Sequence, residues 1–156
     1  KRSIDRWILY LMALFDSLSY NDISRICAKF VFRRGETLRM LSYKKAAKAA
    51  IDTLSSRRAS RPSRIYRLLE PLSFEVILMI GAASGSRAVK ARIRDFFMKY
   101  NGVKTSIKGE DIKALGLKPS PEFAKILKKV LYAKIDGVVR TRSEELAYAA
   151  RLAGVS

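Results

Sequence analysis

Acid–base or metal-assisted chemistry in this chain has to rest on its carboxylates. The 156 residues include no histidine, which excludes a histidine-based triad, and one cysteine, which excludes a Cys/His zinc site. That residue, Cys27, lies among apolar residues and is predicted to be a buried thiol rather than a nucleophile. Two adjacent acidic pairs, Glu110–Asp111 and Glu144–Glu145, fall in the first turns of predicted helices, where capping explains them. We therefore predict no catalytic residue and no metal site here.

The charge balance points to a polyanionic partner. The chain has 32 basic and 14 acidic residues, a formal net charge of +18, and its 49% hydrophobic content is too high for disorder. Nucleic acid is the first candidate, and acidic proteins and membrane surfaces are alternatives. The apolar runs Trp7–Leu14 and Val76–Ala83 are far shorter than the roughly 20 residues of a membrane span, so we expect a cytoplasmic protein. The chain begins with Lys1, which suggests a fragment of a longer protein.

Apolar residues recur at three- and four-residue spacing along most of the chain, which is typical of amphipathic helices. We predict an all-α fold, an array of roughly eight helices with an elongated body (approximately residues 1–104) and a tail (residues 105–156). Val31 and Phe32 favour a strand but have no partner run, and we interpret them as a buried connection. The predicted helical segments are Asp5–Leu18, Ile23–Phe30 capped by Asn21 or Asp22, Thr37–Ser56, a helix through Leu69 capped by Ser63, Phe74–Ala83 capped by Ser73, Ser86–Tyr100, Glu110–Leu115, a helix from Pro121 that ends before Gly137, and a helix to Leu152 capped by Ser143.

The tail contains a predicted helix–turn–helix. Gly116 follows the first helix where a C-cap needs positive φ, and Pro121 suits the first turn of the second helix. The second helix has one apolar face and several lysines on its other faces. Because a helix N-terminus offers unpaired N–H groups, this arrangement suits a phosphate. An ordinary helical hairpin with solubilising lysines fits the spacing equally well.

Three clusters of basic residues are candidate contacts for a phosphate backbone. One lies in the Ser- and Pro-containing segment 55–64, which has no acidic residue and is either a phosphate-binding loop or a flexible surface loop. The second lies on the helix that ends at Tyr100, and the third lies on the second helix of the tail. The ten residues are Arg57, Arg58, Arg61, Arg64, Arg87, Lys90, Arg94, Lys125, Lys128 and Lys129. Lys44, Lys45 and Lys48 form a further basic side on the long third helix.

The tail also carries a family resemblance. The segment 109–146, GEDIKALGLKPSPEFAKILKKVLYAKIDGVVRTRSEEL, resembles the C-terminal signature of bacterial tRNA nucleotidyltransferases and poly(A) polymerases. A second segment, SRIYRLLEPLSFEVILMIGAAS at 63–84, is similar to the A-adding and CBS-domain-containing members. The residues that match the first pattern are Gly109, Asp111, Gly116, Pro119, Pro121, Ile126, Leu127, Gly137, Thr141, Arg142, Glu144 and Glu145.

The resemblance implies a role in binding RNA. In that family, a catalytic head uses Mg²⁺ and ATP, and a helical body and tail hold tRNA so that its 3′ end reaches the head. We therefore expect an RNA-binding region whose partners are tRNA or another structured RNA and the N-terminal catalytic domain of the same parent chain. We expect no cofactor in this stretch itself.

Two other interpretations stay open. The chain could be a basic helical module for protein interaction or dimerisation, since the sequence does not give the oligomeric state. A DNA-binding helix–turn–helix is a weaker alternative, because the start of its second helix, Glu122–Lys125, has no Asn or Gln to contact base edges.

Overall fold

A computed structural model describes residues 4–56, 61–116 and 121–154. Every regular element in these ranges is helical, so the all-α prediction is confirmed. The chain divides into two compact units, Lys1–Ser60 with Arg64–Phe97, and Arg61–Ser63 with Met98–Ser156. The body and tail assigned from the sequence stay a prediction. The helices are α1 (Arg6–Leu14), α2 (Tyr20–Lys29), α3 (Arg34–Ser55), α4 (Pro62–Leu69), α5 (Phe74–Ala83), α6 (Arg87–Asp95), the π-helical turn π1 (Phe96–Tyr100), α7 (Gly109–Ala114), α8 (Pro121–Ile135) and α9 (Arg142–Ala153).

The first unit is built around α5, as its nearly continuous apolar sequence predicts. This helix packs against α1, α3 and α6, and α3 also packs against α2. Val76, Ile77 and Ile80 of α5 are fully buried. Burial on several sides explains why α5 lacks a polar face, whereas the peripheral helices have one.

One carboxylate, Glu75, lies inside this apolar packing. Its Oε1 accepts hydrogen bonds from the Asp5 backbone N–H (3.0 Å) and from Arg39 Nη1 (3.1 Å). The same Arg39 nitrogen donates to Asp5 Oδ2 at 2.6 Å. Burial by itself raises the pKa of Glu75, but these hydrogen bonds and the Arg39 charge outweigh burial and hold the pKa below its usual value. Glu75 therefore joins α5, α3 and the start of α1.

The structure corrects three predicted caps. Ser63 lies inside α4, which begins at Pro62, and its N–H (2.8 Å) and hydroxyl (2.7 Å) both donate to the Asp136 carboxylate. Ser19, not Asn21 or Asp22, caps α2, and Thr141, not Ser143, caps α9. For Ser19 and Thr141, the hydroxyl accepts from the backbone N–H three residues later, and the acidic side chain at that position accepts from the cap's own N–H. The capping residue is therefore the one that lies three residues before an acid. Ser73 caps α5 as predicted.

The structure also corrects the prediction for Val31, which is 84% exposed rather than buried. Its backbone is left-handed, with φ of 54°. The N–H of Phe32 donates to Cys27 O, and that of Val31 donates to Ala28 O, so α2 ends in a Schellman motif. Gly137 occupies the same position after α8, with φ of 75°. A β-branched residue at this position strains the backbone.

We expect Val31→Gly to stabilise the chain by about 0.5–1 kcal/mol, because relief of left-handed strain outweighs the added backbone entropy of glycine. The exposed valine side chain contributes little burial that would be lost. Urea unfolding followed by circular dichroism measures the change. Val31→Ala keeps a Cβ and should gain little. A glycine variant no more stable than the alanine variant would show that the turn is unstrained.

The second unit contains α7, α8 and α9, which pack pairwise around Ile107, Ile112, Ile126, Val130 and Ala149. Glu145 of α9 is completely buried beside this core. Its carboxylate accepts hydrogen bonds from the N–H groups of Ser106 (2.7 Å) and Ile107 (3.2 Å) and from Lys134 Nζ (2.6 Å). Burial by itself raises the pKa of Glu145, but the hydrogen bonds from these donors and the charge of Lys134 have the larger combined effect and lower the pKa below its usual value.

Replacement of Glu145 by Gln should cost roughly 2 kcal/mol, because it leaves the Lys134 ammonium half-buried without its counter-ion. The pKa of Glu145 is lowered by folding, so its contribution is present above the unfolded glutamate pKa of about 4.3 and is lost as the pH falls through the folded pKa. The stability difference between wild type and variant should therefore shrink between pH 7 and pH 3 in thermal unfolding. Glu144→Gln, at an exposed cap, is the control and should cost less. A difference that does not change with pH would contradict the role of this charge.

Candidate nucleic-acid interface

The basic residues predicted to contact phosphates are exposed wherever the structure describes them. These are Arg61, Arg64, Arg87, Lys90, Arg94, Lys125, Lys128 and Lys129. Arg57 and Arg58 lie outside the described residues, as does most of the turn that precedes α8. The structure therefore places Arg61 just before α4 and the other described cations on α4, α6 and α8, each of which is considered by itself.

The first basic surface lies on α6 and is defined by Arg87, Lys90 and Arg94. These residues recur at three- and four-residue spacing, so they share one side of the helix, and Val89 and Ile93 are buried on the other side. The first turn of α6 contains no acidic residue, and the cap Ser86 makes no side-chain hydrogen bond to it. Arg87 and Lys90 therefore add positive charge to the positive end of the helix dipole. Such an end attracts an anion.

The second basic surface lies on α8 and is defined by Lys125, Lys128 and Lys129. Ile126 and Val130 attach the opposite side of the helix to the core of the second unit. Lys125 forms an exposed ion pair with Glu122 at 2.6 Å, which is weak in water. Lys128 and Lys129 have no ion pair with an acidic side chain in the described ranges. This surface can therefore bind phosphates without breaking a strong internal contact.

The third basic group lies on α4, where Arg64 and Arg67 are one turn apart and exposed. Both line a cleft that also contains Asp52 and Ser56 at the end of α3. The sequence analysis named Arg64 but missed Arg67. Their three-residue spacing on a predicted helix was the available signal.

Other cations have internal roles that the sequence did not distinguish. Arg39 pairs with Asp5 and Glu75, Lys134 pairs with Glu145, and Arg142 pairs with Asp111. Arg92 of α6 donates to the backbone carbonyl oxygens of Leu54 and Ser56 and so fixes the end of α3. Of the three predicted lysines on α3, Lys44 contacts Asp16, and Lys45 lies 5.2 Å from the ring centroid of Tyr20. The net charge thus overstates the number of cations available to a ligand.

Residues of the family signature hold the second unit together. Asp111 accepts from the Lys108 N–H at 2.7 Å at the start of α7 and pairs with Arg142. The backbone bond lowers the pKa of the Asp111 carboxyl more than burial raises it, and the Arg142 charge lowers it further. Gly116 and Gly137 have positive φ after α7 and α8. The signature thus specifies helix ends and internal ion pairs.

The two adjacent acidic pairs have separate structural roles. Asp111 accepts from the backbone N–H of Lys108, the N-cap residue of α7, and Glu144 closes the capping box of Thr141, so the predicted capping role is confirmed for one member of each pair. Glu145 is the buried carboxylate that holds Ser106 and Ile107. Within 4–56, 61–116 and 121–154, no three His, Cys, Asp or Glu side chains form a group that could hold a metal ion. No helix in those same ranges is long and apolar enough to cross a bilayer.

Comparison with known proteins gives one informative match. No protein-family model and no solved structure matches the chain. The chain is 29% identical over 154 residues to an A-adding tRNA nucleotidyltransferase of Geobacter sulfurreducens. The match covers 96% of this chain and 18% of the length of that relative. The resemblance inferred from the two motifs is thus confirmed: over nearly its whole length this chain is similar to an A-adding tRNA nucleotidyltransferase, and the match is consistent with a C-terminal region of that family.

Proposed function

We propose that this chain is the RNA-binding region of a tRNA nucleotidyltransferase or poly(A) polymerase and holds tRNA or a similar structured RNA. The observation that carries the proposal is the pair of exposed basic surfaces on α6 and α8, each attached to a core by its apolar side. The relative's name supports tRNA as the ligand. The bound RNA would present its 3′ end to a catalytic head outside this stretch, which would use Mg²⁺ and ATP. Such a protein is expected in the cytoplasm.

The chemistry of these surfaces suits recognition of RNA by shape. Arginine and lysine side chains contact phosphates without regard to base sequence. The deep, narrow major groove of A-form RNA hides its base edges, so a protein that accepts many tRNAs depends on backbone contacts. Rigid helices fix the spacing of the cations, which favours a folded RNA over a flexible polyanion.

Like charges on α6 give a second argument. Arg87, Lys90 and Arg94 repel one another at these spacings, and the first two also oppose the helix dipole. No acidic residue in the first turn compensates for them. A bound phosphate removes this repulsion, so ligand binding and helix stability favour the same state.

Salt dependence and charge substitution test the proposal. Affinity for a tRNA transcript should fall steeply between about 50 and 200 mM salt, because each phosphate contact releases counterions. The triple variants Arg87→Gln/Lys90→Gln/Arg94→Gln and Lys125→Gln/Lys128→Gln/Lys129→Gln should each reduce the log–log salt slope by roughly 2–3, about one unit per lost contact. Fluorescence anisotropy at several salt concentrations measures both quantities.

A matched control separates local contacts from net charge. The variant Arg25→Gln/Lys29→Gln/Arg34→Gln also removes three exposed positive charges, but from α2 and the start of α3. It should change the slope by less than about one unit, since these residues lie outside the proposed surfaces. A flat salt dependence of the wild-type chain would refute RNA binding. If all three variants lost the same amount of salt slope, RNA binding would depend on net charge alone and not on the proposed surfaces.

A second candidate function has its own observation. Trp7, Tyr10 and Leu14 lie on one side of α1 and are 43%, 74% and 70% exposed. Exposed apolar residues of this size favour association with a protein partner or a second copy. Sedimentation velocity of the chain without nucleic acid distinguishes the two functions. A concentration-dependent dimer that Tyr10→Ser/Leu14→Ser abolishes would support the interaction module.

A further inference from the structure

A cleft of about 660 Å³ lies between the C-terminal end of α3 and α4, within the first unit. Its lining residues are Asp52, Thr53, Ser56, Arg64, Arg67 and Leu68. It is a shallow cleft that is largely open to solvent rather than an enclosed pocket. None of the residues that define the basic surfaces of α6 and α8 lines it, so it is a separate feature.

The two walls of the cleft differ in chemistry. The α4 wall carries Arg64 and Arg67, which are one turn apart and are donors only. The α3 wall carries the Asp52 carboxylate and the hydroxyl groups of Thr53 and Ser56, at the negative end of the α3 dipole. Leu68 adds an apolar contact. One wall therefore favours an anion, and the other favours hydrogen-bond donors.

The backbone at the end of α3 and the Ser56 hydroxyl are held in place before any ligand arrives. Arg92 donates to the carbonyl oxygens of Leu54 and Ser56, the latter at 2.9 Å. The Ser56 hydroxyl donates to Thr53 O at 2.8 Å, which leaves its oxygen able to accept from a ligand. The Ser56 hydroxyl oxygen, held in this way, loses little conformational entropy on binding.

We infer that this cleft binds one unpaired nucleotide of a bound RNA. The phosphate lies against Arg64 and Arg67, and the ribose 2′-hydroxyl or a base N–H donates to Asp52. Free phosphate fits poorly, because it uses only the arginine wall and is repelled by Asp52 and the end of α3. A nucleotide inside a duplex fits poorly as well, because its base stays in the stack. The inference rests on the proposed RNA-binding function and adds the kind of nucleotide that is recognised.

Three RNA probes test the inference on the 156-residue chain. They are a blunt hairpin, the same hairpin with one unpaired 5′ adenosine nucleotide, and that hairpin with a 2′-deoxy sugar at the unpaired position. We expect the overhang to tighten binding roughly tenfold, the lower limit for a charge-assisted hydrogen bond, and the deoxy sugar to remove most of this gain. An equal gain with the deoxy sugar would overturn the contact of the 2′-hydroxyl with Asp52.

Asp52→Ala gives the sharpest test, because net charge alone predicts that this variant binds RNA more tightly, whereas the inference predicts weaker binding of the overhang probe. Removal of an acid from a strongly basic chain should strengthen RNA binding in general. If Asp52 accepts from the nucleotide, the variant instead loses the gain from the overhang. Glu110→Ala removes an exposed acid of α7 and should keep that gain. Asp52 is exposed, so its replacement should leave the fold intact.

Arg64→Gln/Arg67→Gln should reduce the gain from the overhang, whereas Arg25→Gln/Lys29→Gln should weaken all probes equally. An unchanged gain in Asp52→Ala or in the α4 variant would overturn the inference. Free AMP that competes only with the overhang probe would support it. AMP binding at the cleft without any gain from the overhang would assign the cleft to a free nucleotide and overturn it.

The two proposals fail in different ways. Steep salt dependence with the blunt hairpin, together with no gain from the overhang, would remove the cleft inference and leave RNA binding in place. Weak binding of every probe, without salt dependence, would refute the proposed function and the cleft inference together.

Discussion

The chain has more than twice as many basic as acidic residues, so a small number of carboxylates make the internal contacts that hold it together. The rest of the structure depends on where those carboxylates lie. Of the 14 acidic residues, the two that are buried each join separate segments through several hydrogen bonds, Glu75 in the first unit and Glu145 in the second. Others close capping boxes, as Asp22 and Glu144 do. Because these acids serve internal contacts, Arg87, Lys90 and Arg94 of α6 and Lys128 and Lys129 of α8 have no acidic ion-pair partner in the part of the chain that the structure describes, and Lys125 has only its exposed pair with Glu122. The same distribution of charge stabilises the helices and leaves their outer surfaces attractive to a polyanion.

Much of the fold follows from local physics. Apolar spacing locates the helices, and Ser73 and Gly137 mark a start and an end correctly. Sequence reasoning places the caps of α2 and α9 two or three residues too late, because several polar residues there could act as the cap. The acid three residues after the true cap decides between them. The left-handed turn at Val31 could not be predicted from its residue type, which disfavours that conformation. It forms because two backbone hydrogen bonds at the end of α2 require it.

The candidate site was predictable as helix faces and not as individual contacts. The spacing of Arg87, Lys90 and Arg94 indicates a shared side, but it does not show that Arg92 turns towards the end of α3. That distinction depends on which helices pack together. The cleft likewise requires Asp52 and Arg67 to approach from different helices, which no local pattern indicates. The family signature was recognisable because it specifies turns and caps, which are local features.

Cys27 is buried at 2% exposure, and burial raises the pKa of its thiol. Only the thiolate reacts readily with maleimides or disulfide reagents. This sulfur is therefore unreactive for two reasons: reagents cannot reach it, and the raised pKa keeps it protonated. The native chain therefore already behaves as a cysteine-free background. A single cysteine introduced on α6 or α8 would be its one reactive position, and a fluorophore or photo-crosslinker attached there would report the distance from that helix to a chosen nucleotide.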